Sequence, residues 1–218
     1  AGIFIYLSAI GLGAFREIHF SDFLFGRVWN PTAYGAPSWG IAGLLAGTGL
    51  VSVMALVIVL PLGMSIAIYI SELASRRVRE VMKPAVEMIA SIPSVVLGLL
   101  GLLYIAPLVA AITGKTNGLN AATAGLLVAM TALPTIASIC EDALSGVPKR
   151  YRDASLTLGA TRWETIRKVV VPAAKSGLLA GTLLGFGRII SETMIVLMVA
   201  GNSLAFPRGV LDPVRPMT

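Results

Sequence analysis

Arg188 and Glu192 stand inside an otherwise apolar run, FGRIISETMIVLMVAGN over 186–202. A charge at mid-membrane depth costs roughly 2.5–3.5 kcal/mol on insertion scales, so it faces a polar cavity or an opposite charge. The i,i+4 spacing puts both side chains on one helical face, close enough to pair. Two chemistries fit. The pair locks helix packing, or it lines an anion pathway in which Arg188 supplies positive potential and Glu192 holds it and moderates its grip, since a pore must release what it binds. Ser191 and Thr193 beside Glu192 complete the candidate pathway and gating set.

Catalysis finds less support. An intramembrane protease or lipid phosphatase needs a nucleophile with its base or a set of metal ligands, and neither HExxH nor GxSxG occurs. The single Cys140 rules out an intramolecular disulfide and a multi-cysteine metal site, and His19 is equally solitary. Without a GxxxxGK[ST] loop the chain is not an ATPase. The expectation is a protein with no catalytic residues, no metal and no cofactor of its own. Any ATP and Mg belong to a partner ATPase.

The elements that position these residues are membrane helices. Of 218 residues, 56% are hydrophobic and 13% charged, far from soluble-domain composition. Charge-free windows at 41–70, 88–113 and 119–140, and the window 177–200 that carries Arg188 and Glu192, are each long enough for the roughly 20 residues a span needs. Pro61, Pro93 and Pro107 are expected kinks. The apolar segment 1–14, followed by Arg16 and Glu17, reads as the outer end of a first helix, and the polar, Pro-rich 211–218 as a connection to a closing one. The expected fold is an all-α integral membrane bundle with about five spans here and six in a full chain, one domain over 1–218.

Charge orients the bundle. The connections around 71–86 and 141–175 hold 11 of the 17 Lys and Arg residues, so both are expected on the cytoplasmic side of a multi-pass cell (inner or plasma) membrane protein. No aromatic interleaving or known module accompanies the basic residues, which argues against nucleic acid. Trp29, Tyr34 and Trp39 in the outer connection suit the lipid headgroup belt.

Segment 141–175 is too long for a plain helix connection. Pro148 can open a short helix that Gly159 ends with a left-handed cap, and Thr161 can cap a second running towards Pro172. Tyr151, Ala154 and Leu158 share one face of the first; Trp163, Ile166 and Val170 share one face of the second. Such a basic, amphipathic pair suits a groove on a cytosolic partner or a surface of anionic lipid.

The stretch DASLTLGATRWETIRKVVVP, 153–172, resembles the EAA loop of ABC importer permeases. Asp153, Ala154 and Ser155 fall at the EAA positions, Gly159 at the glycine, Val169 and Val171 at the Ile and Leu, and Pro172 at the proline. The resemblance implies a type I ABC importer permease bundle whose coupling helix enters a cleft of the ATPase, with Tyr151, Arg152, Asp153, Ala154, Leu158, Gly159, Ala160 and Pro172 as coupling residues. Three further blocks, 47–74, 91–109 and 187–202, the last with Ser191, Glu192, Thr193 and Met194 in a GETM-like run, resemble PstC-type subunits of phosphate importers. That resemblance implies phosphate as substrate, with a PstA-like second permease, two PstB-like ATPases, a PstS-like external binding protein and membrane lipid as partners. The alternatives are a permease for sulfate, molybdate or phosphonate, a PstA-type subunit, and an anion channel that needs no ATPase.

Overall fold

The computed structural model describes residues 2–15, 18–33, 35 and 37–217, so Arg16, Glu17 and Tyr34 lie outside the described residues. At the start of the described chain, α1 (Gly2–Ala14) and α2 (Phe20–Phe25) precede a short hairpin of β1 (Trp29–Asn30) and β2 (Ser38–Trp39). Trp29 and Trp39 pair across its strands, rings edge to face at 6.0 Å. Among the described residues, three helices are long and apolar enough to cross a bilayer: α3 (Ala42–Leu73), α5 (Ser94–Thr113) and α6 (Ala121–Ser145). Between the first two lies α4 (Arg76–Ala90), and after α6 come α7 (Lys149–Thr157), α8 (Arg162–Ala173), α9 (Lys175–Ile190) and α10 (Met194–Val199). Helices α8 and α9 meet at 72° and make a fourth span if taken together.

Helix α6 is the centre of the bundle: 67% of its most apolar window is buried, against 33% for α3 and 22% for α5. Lipid tails offer no hydrophobic drive between spans, so contact relies on close packing of small residues. On α3 the buried stripe is Gly43, Gly47, Val51, Ala55, Val59, Gly63 and Ala67, one residue every fourth position. On α9 the same spacing recurs as Gly177, Gly181 and Gly185. A Cβ at these three would lie 2.5 Å from Ala143 Cβ, 2.8 Å from Cys140 Sγ and 2.2 Å from Ile136 Cγ1, respectively. Ile136 also meets α3, where a Cβ on Gly63 would sit 2.9 Å from its Cγ2.

Two expected windows divide differently from the sequence reading. The window 88–113 becomes a span only from Ser94, because the residue before Pro93 is disfavoured in helix and the chain turns at 91–93. The residues upstream form α4, an amphipathic helix with Val81 and Met88 exposed at 69% and 70%. The window 177–200 is not one helix: α9 stops at Ile190, the chain breaks over 191–193, and α10 resumes at Met194. Hydroxyl and carboxylate side chains there compete for the backbone, with Ser191 Oγ donating to Arg188 O at 3.1 Å and Glu192 Oε1 accepting from the Ile195 N–H at 3.5 Å.

The prolines break less than expected. Helix α3 continues through Pro61. Upstream of Pro107 and of Pro172 the helix widens to π geometry over Gly101–Ile105 and Ile166–Val170, which accommodates rings that would clash with an ordinary helical turn.

Candidate functional site

Helix α7 begins after Pro148 and ends as expected near Gly159, whose φ of +86° is left-handed. Thr161 opens α8 with a reciprocal capping box: its hydroxyl accepts from the Glu164 N–H at 3.3 Å, and Glu164 Oε2 accepts from the Thr161 N–H at 3.0 Å. These bonds, joined by Lys168 at 3.2 Å, pull the Glu164 carboxyl down to about 2. Ser155 and Thr165 hydroxyls, 3.0 Å apart, tie the two arms together across the bend.

The arms differ in what they bury. Thr165, Ile166 and Val170 of α8 are buried against the bundle. Tyr151, Leu158 and Trp163 are exposed at 47%, 88% and 59%, with Leu158 at the tip beside Gly159. Asp153, Ala154 and Gly159 are likewise exposed and Ala160 is half-buried. The apolar tip is exposed, and Arg150, Arg162 and Arg167 on the same two arms are exposed as well. Pro172 lies just before Ala174, where the 72° bend turns the chain into α9.

Arg152 goes the other way. Its side chain is 18% exposed, and its guanidinium grips Glu72 near the C-terminal end of α3 through two bonds, Nε to Oε2 at 3.0 Å and Nη2 to Oε1 at 2.6 Å. It also donates to Leu144 O at 2.8 Å and to Val147 O. A second node lies beside it. Glu141 of α6 is 4% exposed and accepts from Lys83 Nζ and Ser145 Oγ, each at 2.7 Å, with Arg79 Nη2 at 3.7 Å. Lys83 also reaches Asp142 at 2.7 Å, and hydrogen bonds first to Asp142 and then to Glu141 hold its ammonium above the usual lysine range. In the sequence Arg79 and Lys83 point only to topology, and Arg152 to the coupling motif; their carboxylate partners carry no local signal, since Lys83 and Glu141 are 58 positions apart and Arg152 and Glu72 are 80 apart.

Arg188 lies about 20 Å of helical rise beyond Lys175 along α9. The break at 191–193 turns Glu192 into the protein, 4% exposed, at the start of α10. The pair spans 3.8 Å, longer than a hydrogen bond, and the Arg188 side chain stays 45% exposed on the chain's surface. Its charge is thus steadied but not consumed. Ser191 and Thr193 are exposed beside it. A cavity of about 1310 Å³ lies far from this pair in sequence, among α1, α2 and the hairpin, lined by His19, Asp22 and Arg27 among others. Among the described residues no cluster of three or more His, Cys, Asp or Glu could hold a metal ion.

Residues 59–210 match the family model described as "Binding-protein-dependent transport system inner membrane component". The "Probable ABC transporter permease protein YqgH" of Bacillus subtilis is 36% identical over 218 residues, 99% of this chain and 70% of that protein. The "Phosphate transport system permease protein PstC" of Pasteurella multocida is 33% identical, over 92% of this chain and 67% of its own length. Its namesake in Haemophilus influenzae is 32% identical, over 97% and 74%. Among solved structures, an inward facing form of the MetNI methionine ABC transporter aligns over 69% of this chain and 68% of its own, with 26% identity and a TM-score of 0.53.

Proposed function

This chain belongs to the binding-protein-dependent transport system inner membrane components, the permeases of type I ABC importers, and from that premise we propose that it conducts inorganic phosphate. As a multi-pass inner membrane permease it is the transport component, not the catalytic one. The proposed assembly pairs it with a PstA-like permease, two PstB-like ATPases that hold ATP and Mg, and a PstS-like binding protein outside.

One observation carries the anion reading. Arg188 keeps a half-exposed side chain in the last turn of the apolar α9, steadied across 3.8 Å by a buried Glu192. A cation facing lipid is costly, so the surface it occupies is read as part of a polar pathway shared with the second permease. Weak mutual pairing leaves net positive potential, while Glu192, with Ser191 and Thr193 as neighbouring hydroxyls, keeps the grip loose enough for release. The PstC namesakes among the relatives support phosphate. A second reading, another tetrahedral oxyanion, is favoured by the same chemistry, since one Arg discriminates little among such ions.

The ATPase reading is supported by the exposed tip at Leu158 and the left-handed Gly159. The test is uptake of labelled phosphate by proteoliposomes holding the full assembly with binding protein. ATP-dependent uptake is expected, with little competition from sulfate. Uptake that proceeds equally without the ATPase identifies a channel and overturns the proposal.

A further inference from the structure

The loop that meets the ATPase is fastened to the bundle at a place its sequence neighbours do not suggest. By connectivity, a displacement of α7 reaches the membrane through α8 and then α9. The side chains offer a shorter route. Arg152 uses its planar fork on both oxygens of Glu72, so α7 is bound directly to the inner end of α3, 80 residues upstream, in a geometry an ammonium cannot reproduce. The same guanidinium holds Leu144 O in the last turn of α6 and Val147 O just past its end. Glu72 is 8% exposed at its side chain, so the contact is shielded from solvent screening.

The inner end of α3 is in turn held by α4. Arg79 donates to Ile70 O at 2.9 Å and Ser71 O at 2.6 Å, and Lys83 bridges Glu141 and Asp142 on α6. Two buried carboxylates, Glu72 and Glu141, thus gather cations from α7 and α4 onto the cytoplasmic ends of α3 and α6. Rigid-body transmission needs such a joint, because a lever that slips at its base does no work on the spans.

We propose that Arg152 and Glu72 are the positioning pair through which the coupling loop moves α3. The Glu141 node carries the same displacement to α4 and α6. This rests on the reading of α7 and α8 as the ATPase-facing loop. Arg152 thereby acts from behind the docking surface, and Tyr151, Leu158 and Trp163 supply the contact itself. The pair sets how much movement of the ATPase becomes movement of the pathway.

The test is the number of phosphate ions taken up per ATP hydrolysed by the full assembly, comparing wild type with Arg152→Glu, Glu72→Arg, the double exchange E72R/R152E, and the milder Arg152→Lys. Each single exchange is expected to lower that ratio roughly tenfold, within the usual range of coupling effects. The double exchange is expected to recover most of it, and Arg152→Lys, which keeps charge but loses the fork, to fall between. Should a single exchange prevent assembly, Arg152→Lys decides. An assembled complex with Arg152→Lys and wild-type uptake per ATP overturns the proposal, as does a double exchange that assembles without recovery. Leu158→Asp separates this from the docking reading. If it abolishes ATPase retention while Arg152→Lys leaves the ratio untouched, the pair alone fails; if it leaves ATPase retention intact, the docking reading fails too.

Discussion

Gly185 of α9 rests directly on Ile136 of α6: a Cβ built on the glycine would lie 2.2 Å from Ile136 Cγ1. Replacing Gly185 with valine therefore forces α9 off α6 at the site where α3 also bears on Ile136. An overpacking cost of about 1–3 kcal/mol is expected. Thermal unfolding in detergent checks it, with Gly187→Ala as the control, since nothing lies within 4 Å of a Cβ there. Equal midpoints for the two variants would contradict the packing described.

At Gly159 the constraint is conformational. A Cβ would meet nothing within 4 Å, but φ is +86°, where a β-branched residue is strained by roughly 1–2 kcal/mol. Gly159→Val is expected to reshape the bend between α7 and α8 and reduce substrate-stimulated ATP hydrolysis, while Gly159→Asn, which tolerates the left-handed region, retains more. Unchanged stimulation in the valine variant would remove Gly159 from the coupling account.

The capping box at Thr161 makes a pH-dependent contribution. Glu164, pulled from its ordinary 4.5 down to about 2, stabilises the start of α8 at pH values above the ordinary one, and that contribution fades as pH falls from 4.5 towards 2. The midpoint difference between wild type and Glu164→Gln should be largest at neutral pH and shrink across that window. A gap constant from pH 7 to pH 3 would show that Glu164 does not titrate as described.

Arg188→Gln removes the charge proposed for the pathway without disturbing a tight contact, because the ion pair is long and half-exposed on one side. Phosphate uptake should fall by about tenfold or more, equivalent to ~1.4 kcal/mol at the barrier, with the unfolding midpoint nearly unchanged. Glu192→Gln, buried at the start of α10, should lower both. Comparable loss of stability in the two variants with wild-type uptake would reduce the pair to a packing lock.

Legibility in the sequence followed the range of the interaction. Gly159, Thr161 and the helix opening after Pro148 obey rules written within four residues, and the structure bears them out. Hydropathy located the spans but not their breaks, because Ser191 and Glu192 interrupt the 177–200 window through hydrogen bonds to backbone, which an average over side chains does not register. The seam of Gly177, Gly181 and Gly185 had a signal, the period of four, that a search for apolar windows passes over. Arg152 shows the limit: placed in a coupling motif by its position, it turns inward to a carboxylate from a distant helix, and only tertiary packing decides that.

Phosphate specificity is read most directly from ATP hydrolysis by the assembled complex in nanodiscs when the binding protein is presented with phosphate, sulfate, molybdate or phosphonate in turn. Phosphate should stimulate hydrolysis, and the others should leave it near the unstimulated rate. Stimulation by sulfate with phosphate silent would contradict a phosphate permease.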